Sequence, residues 1–168
     1  MSDMIAVATP SEIAAVATLA HLIWREHYVP IIGKEQVDYM LEIFQSAPAI
    51  SAQIANGYEY YLVCEQGVNV GYFALVLSSE DASMLLSKIY ILPSCQGQGL
   101  GKQVLAFAES ECQAKKICTL ELSVNRHNVN SIAFYTRMGF VKEASIVNDI
   151  GGGFVMDDFK MVKRIKPS

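Results

Sequence analysis

The residues best placed to do chemistry are Gln96-Gly97-Gln98-Gly99-Leu100-Gly101-Lys102. An apolar run from Met84 to Leu92 precedes them, and a helical pattern begins near Leu100. Glycines between a strand and a helix let the backbone approach a ligand closely. The first N–H groups of that helix, backed by a macrodipole of about +0.5 charge, then point at the ligand. A phosphate or pyrophosphate suits such a turn. The spacing excludes a P-loop, because Gln96 stands where the first glycine belongs and Gln103 follows Lys102. It also fails the dinucleotide fingerprint. Gly97 and Gly99 fit, but Lys102 takes the third position, and Leu120 or Glu121 falls inside the next strand where an acidic ribose partner would stand.

Gln96, Gly99 and Gly101 do fit Gln-x-x-Gly-x-Gly. Downstream, the strand Leu120-Glu121-Leu122-Ser123-Val124 is followed by Asn128, Ser131, Tyr135, Gly139 and Phe140. Together these two patterns resemble the GNAT superfamily of N-acyltransferases, with Ser131 standing where Ala is common. The resemblance is strongest over Met84 to Val141 and extends from Ile5 to Arg164. It implies acetyl-CoA as cosubstrate, with the pyrophosphate held by Gln96, Gly97, Gln98, Gly99, Leu100, Gly101 and Lys102. For Lys102, a solvated helix position is an equal reading. The pantetheine arm would pair with the main chain of Ile89, Tyr90 and Ile91 as an added strand. The Ile91 N–H would hold the thioester carbonyl.

In the same resemblance Tyr135 is the general acid that protonates the departing thiolate. A thiol with a pKa near 8.5 and a tyrosine near 10 make that transfer feasible. In the same resemblance Asn128, Ser131 and Tyr135 would line the cofactor site, and Asn128 would hydrogen-bond the arm; alternatively Asn128 serves as the helix-entry cap, a role for which Asn130 competes. The sequence departs from the family at the base: Leu85 occupies the strand position where many members carry Glu. Glu121, His127 and Tyr61 are the alternatives, unranked.

Trp24, Glu26, His27 and Tyr28 cluster before Pro30. Trp24, His27 and Tyr28 are candidate acceptor contacts, since aromatic and acidic walls suit a cationic amine; the alternative is a helix end with Trp24 in the core. The layout, with its closing Phe154-Val155-Met156-Asp157-Asp158-Phe159 segment, is also similar to bacterial polyamine acetyltransferases. The expected activity is therefore acetylation of a small cationic amine. The alternatives are acetylation of a protein N-terminus or lysine, which needs an open groove, and a non-catalytic acyl-CoA sensor, which would not need Tyr135.

Composition narrows the partners. The 168 residues are 52% hydrophobic and carry a formal charge of −4. A chain of this length buries about 70% of its unfolded surface as one domain. Lys and Arg are scattered apart from the Lys163-Arg164-Lys166 tail, which argues against nucleic acid. Cys64, Cys95, Cys112 and Cys118 form no C-x-x-C, and His21, His27 and His127 have no ligand spacing, so no metal is expected. Cys64 and Cys118 read as buried thiols. With neither a signal peptide nor an apolar run long enough to cross a membrane, a cytoplasmic protein is expected. Family habit and the apolar closing strands suggest a homodimer.

The elements that must position these residues follow from periodicity. Strands are predicted over Ile5–Ala8, Tyr58–Cys64, Val70–Leu77, Met84–Ile91, Ile117–Val124, Val141–Asn148 and Phe154–Val162. Thr9-Pro10-Ser11-Glu12 announces a helix that Pro30 and Gly33 break, and a second helix spans Lys34 to Phe44. Pro48 opens a further short one. Helices also follow the loop, to Ala114, and span Asn130 to Met138. The order β-α-α-β-β-β-α-β-α-β-β is an α/β mixed sheet covered by helices. By resemblance it is GNAT-like, splayed between its fourth and fifth strands.

Overall fold

The computed structural model describes residues 2–78 and 82–167. A short strand β1 (Asp3–Ala6) leads into four helical segments: α1 (Pro10–His27), α2 (Val29–Ile32), α3 (Lys34–Phe44) and α4 (Ala47–Ala55). Then come β2 (Glu59–Glu65), β3 (Val68–Ser78), β4 (Ser83–Ile91), α5 (Leu100–Ala114), β5 (Thr119–Asn125), α6 (Val129–Arg137), β6 (Val141–Gly151) and β7 (Phe154–Arg164). The seven strands form one mixed sheet in the order β1-β2-β3-β4-β5-β7-β6, in which only β4 and β5 are parallel. The predicted fold class is borne out.

The differences are local and have physical causes. β1 ends before Ala8 because the N–H groups of Ala8 and Thr9 donate to the Glu12 carboxylate, each at 2.9 Å. With the Thr9 hydroxyl accepting from the Glu12 N–H, this is a capping box that uses the end of the strand to start α1. Pro30 does not simply break the helix. It sits in the first turn of α2, where its missing N–H costs nothing, and Gly33 at φ +89 closes that turn. The turn between β2 and β3 is Gln66-Gly67, both at positive φ, so Val68 and Asn69 belong to β3. Cys118 is exposed rather than buried, because it lies in the loop before β5, where strand alternation does not yet hold. Residues 79–81 of the connection after Ser78 lie outside the described residues.

Both faces of the sheet are covered. α5 lays Leu100, Val104, Leu105 and Ala108 on one face, against Phe73, Leu86 and Leu122. α1 and α3 bury Val16, Ala20, Trp24, Met40 and Leu41 on the other, against Leu62 and Tyr72. β4 and β5 are paired only at Ser83–Thr119, Met84–Leu120 and Leu85–Glu121. Just beyond, β4 carries a bulge at Ser87, since Ala74 and Leu75 of β3 face Lys88 and Leu86. A bulge bends and twists its strand. From there to Ile91 the two strands separate, and the sheet opens into a V.

No helix of the described residues is long and apolar enough to cross a membrane.

Candidate active site

The glycine loop leaves β4 through a single 3-10 turn, Pro93–Cys95. Gly97 and Gly99 both adopt left-handed φ, +81 and +80, which favours glycine at each position. Gly99 begins α5 without a side-chain cap. The first hydrogen bond of that helix runs from the Gln103 N–H to the Gly99 carbonyl. Among the described residues, no acceptor meets the N–H groups of 97 to 102. All of these residues but Gln98 stand in the wall of a cleft of about 490 Å³, and their N–H groups fit an anion such as the pyrophosphate of CoA. A Cβ at Gly101 would lie 3.0 Å from the Phe134 ring, so glycine there lets α5 and α6 approach. The Gln96 amide donates to the Ile91 carbonyl at 3.3 Å and ties the loop to the end of β4.

The open edge of β4 supplies a second set of main-chain groups. The Leu92 N–H donates to the Val70 carbonyl at 2.8 Å, toward β3. Successive residues of a strand face opposite edges. The N–H groups of Ile91 and Ile89 therefore point into the V. Both residues line the cleft, with Tyr90 between them.

A second, smaller pocket of about 110 Å³ adjoins the cleft, and Tyr28, Ile89, Tyr90, Ser131 and Tyr135 line both. Tyr135 thus stands at their junction. It is buried at 7% exposure between the Phe134 and Phe140 rings. Its hydroxyl makes no hydrogen bond among the described residues. Burial, with a smaller contribution from Tyr28, pushes its pKa well above the ordinary tyrosine value. The group is protonated throughout the neutral range.

The small pocket is walled by Trp24, Tyr28, Gln36, Met40 and Met156, with the carboxylate of Asp158 among them. Trp24 stacks on Tyr28 at 4.4 Å and meets Tyr90 edge-on at 5.2 Å. Asp158 is buried, and desolvation, followed by the charge of Asp157, raises its pKa to about 6. Lys88 also touches this pocket, but its ammonium is turned away. It donates to the Phe44 carbonyl, to Gln53 Oε1 and to the Tyr60 hydroxyl, and burial brings its pKa down to about 7. The hairpin of β6 and β7 closes over the pocket from the side of α3. The Tyr39 hydroxyl donates to the Ile150 carbonyl at 2.7 Å, and the Gln36 amide to the Val155 carbonyl at 2.8 Å.

The structure sorts the residues singled out by sequence. Ile89, Tyr90, Ile91, Gln96, Gly97, Gly99, Leu100, Gly101, Lys102, Ser131 and Tyr135 line the large cleft, and Gln98 does not. Asn128 lines the small pocket instead. It occupies the entry position of α6 but does not cap it; its amide faces the Tyr28 hydroxyl at 3.5 Å. His27 lines the large cleft and not the small pocket, whereas Trp24 lines the small pocket and Tyr28 both. None of the three candidate bases reaches either pocket. Glu121 is paired with Lys160 at 3.1 Å, His127 is exposed, and Tyr61 packs on Phe73 and Phe107. Nothing in the sequence singles out Asp158, in the small pocket, or Arg137, a second cation beside the large cleft. Two adjacent aspartates in a strand signal nothing until the register shows which one turns inward. Among the described residues, no cluster of His, Cys, Asp or Glu is arranged to hold a metal.

Residues 16–140 match the model of the acetyltransferase (GNAT) family. An uncharacterized N-acetyltransferase in the pepI 3′ region of Lactobacillus delbrueckii subsp. lactis is 30% identical over 140 residues, covering 76% of this chain and 80% of that protein. Among solved structures, the PaiA N-acetyltransferase of Thermoplasma acidophilum, in complex with coenzyme A, superposes with a TM-score of 0.82 at 20% identity, covering 98% of this chain and 99% of that one. The ribosomal-protein-S18-alanine N-acetyltransferase of Escherichia coli superposes with a TM-score of 0.71 at 20% identity, covering 100% and 96%.

Proposed function

The chain belongs to the acetyltransferase (GNAT) family and is an acetyl-CoA-dependent N-acetyltransferase, and from that premise we propose that its acceptor is the primary amine of a small cationic molecule of the polyamine class. The observation that carries this reading is the small pocket on the far side of Tyr135, closed by the β6–β7 hairpin over α3. An extended peptide needs an open groove. This pocket offers room for one alkylamine end, between the Trp24 and Tyr28 rings and a buried carboxylate. The whole chain acts as one catalytic domain.

The residues divide the work as follows. The free N–H groups of the loop and the positive end of α5 hold the pyrophosphate, with Lys102 and Arg137 as flanking cations. The edge of β4 pairs with the pantetheine amides. The Ile91 N–H, turned into the V, stabilises negative charge that develops on the thioester oxygen. Asn128 orients Tyr28 across the pocket floor. Tyr135 donates its proton to the sulfur as the thiolate departs. Acetyl-CoA supplies the activated acetyl group.

The test is to follow free thiol release from acetyl-CoA with spermidine, 1,4-diaminobutane, an alanine-ended peptide and a lysine peptide. Release with the two polyamines and not with the peptides is expected. The reverse pattern would establish a protein acceptor. Acetyl-CoA binding with no release on any acceptor would identify a sensor.

A further inference from the structure

The strand position that carries Glu in many relatives is Leu85 here, and it forms the last rung between β4 and β5, outside both pockets. An alkylammonium must still lose a proton before it can attack. We propose that Asp158 is the general base, its carboxylate taking that proton from the acceptor held in the small pocket. The inference rests on the small-amine reading above.

The case is one of placement and elimination. Asp158 is 5% exposed and lines the pocket with Tyr28, Asn128 and Tyr135. β7 holds it from both sides, opposite Asn125 of β5 and Ile146 of β6. Among the described residues, no hydrogen bond or ion pair engages its carboxylate, whereas its neighbour Asp157 faces Arg126 at 2.7 Å. A buried carboxylate without a partner costs stability unless a ligand supplies one. The titratable groups facing it are Tyr28 at the end of α1, Lys88 and Tyr90 on β4, and Tyr135 on α6. The three tyrosines are held protonated, and Lys88 is bonded to three acceptors elsewhere. Lys160, two residues along β7, is engaged with Glu121 and Glu143. Among the described residues, Asp158 is the one carboxylate in the pocket wall, and its raised pKa brings it nearer the working pH of a base.

The step balances. Asp158 removes one proton from the ammonium, and the freed nitrogen lone pair forms the C–N bond to the acetyl carbon. The amide nitrogen sheds a second proton on losing its charge. The C–S bond breaks, and Tyr135 gives its proton to the thiolate. One of the nitrogen's two protons restores Tyr135, and the other leaves to solvent through Asp158.

The experiment compares wild type with Asp158→Asn on two acceptors: the polyamine that wild type turns over fastest, and hydroxylamine, which is neutral at pH 7 and needs no base. The variant's kcat on the polyamine should fall by about 10²-fold or more, and its kcat on hydroxylamine by less than about tenfold. The wild-type acid limb, in which kcat/KM for the polyamine falls as pH drops through about 6, should vanish in the variant. Acetyl-CoA affinity, measured by calorimetry, should be unchanged and reports folding. Should the Asn variant not fold, Asp158→Ala with added formate should regain turnover. A raised KM with unchanged kcat would reduce Asp158 to a cation anchor. Equal losses on both acceptors, or an acid limb that persists, would likewise overturn the proposal. A wild type that acetylates hydroxylamine and peptides but no polyamine would overturn the small-amine reading instead.

Discussion

Tyr135 combines a buried ring with a hydroxyl that, among the described residues, has no partner, at the junction of two pockets. Tyr135→Phe keeps the ring and removes the proton. Turnover should fall about 10²–10⁴-fold, with acetyl-CoA affinity little changed. The unshifted tyrosine that sequence suggests would titrate near pH 10 and bend the alkaline side of the rate profile. Burial moves that event beyond the assayable range, so wild type and variant should have parallel alkaline limbs. Asp158 carries the opposite lesson. Its folded pKa, about 6, exceeds the unfolded value near 3.9, so the folded state binds the proton more tightly. Stability should therefore be highest at low pH with respect to this group. It should decline as pH rises from about 4 to 6 and stay lower above that. Asp158→Asn should accordingly raise Tm at pH 7.5 by a few degrees, a gain that shrinks below pH 4, as scanning calorimetry would read. Tyr135 was legible because its spacing from Asn128 and Gly139 is distinctive. Asp158 was not, because strand parity against β5 and β6 alone decides whether it or Asp157 faces inward.

The loop and the hairpin each reduce to a few backbone conformations. Gly99→Glu places a side chain and a charge at a left-handed position among the free N–H groups, where a Cβ meets nothing within 4 Å. The fold should survive at a cost of about 1–2 kcal/mol for the strained φ. Acetyl-CoA binding should be lost by calorimetry. At the other end, a Cβ at Gly151 would lie 2.5 Å from the Tyr39 hydroxyl, at φ +89. Gly151→Ala should push the hairpin off α3 and raise the acceptor KM several-fold, while the KM for acetyl-CoA holds. The strand–loop–helix order around the phosphate cleft was plain in sequence, since it is local. The acceptor wall was not. Tyr39 and Ile150 are 111 residues apart, and no periodicity reports which helix a distant hairpin will touch. α2 escaped because a proline both ends one helix and opens the next.

At the scale of the molecule, Val141, Val147 and Val155 remain exposed on β6 and β7, at the free edge of the sheet. We expect this edge to pair two copies, with light scattering giving twice 18.5 kDa at micromolar concentration. A mass of one copy would remove the dimer. The overall architecture was readable because strand and helix periods are distinct along most of the chain. The V was predicted from resemblance, and the bulge at Ser87, where the β4–β5 pairing ends, carries no sequence signal. The shared wall of Tyr28, Ile89, Tyr90, Ser131 and Tyr135 sets the two pockets side by side, with Tyr135 between a bound cosubstrate and a bound acceptor. Neither reactant then has to leave before the other arrives, and double-reciprocal rate plots should intersect instead of running parallel. A single molecule that joins CoA to an alkylamine through its sulfur would occupy both pockets at once. Its two halves would count as one binding event, and it should hold the enzyme about 10²-fold or more tighter than CoA alone.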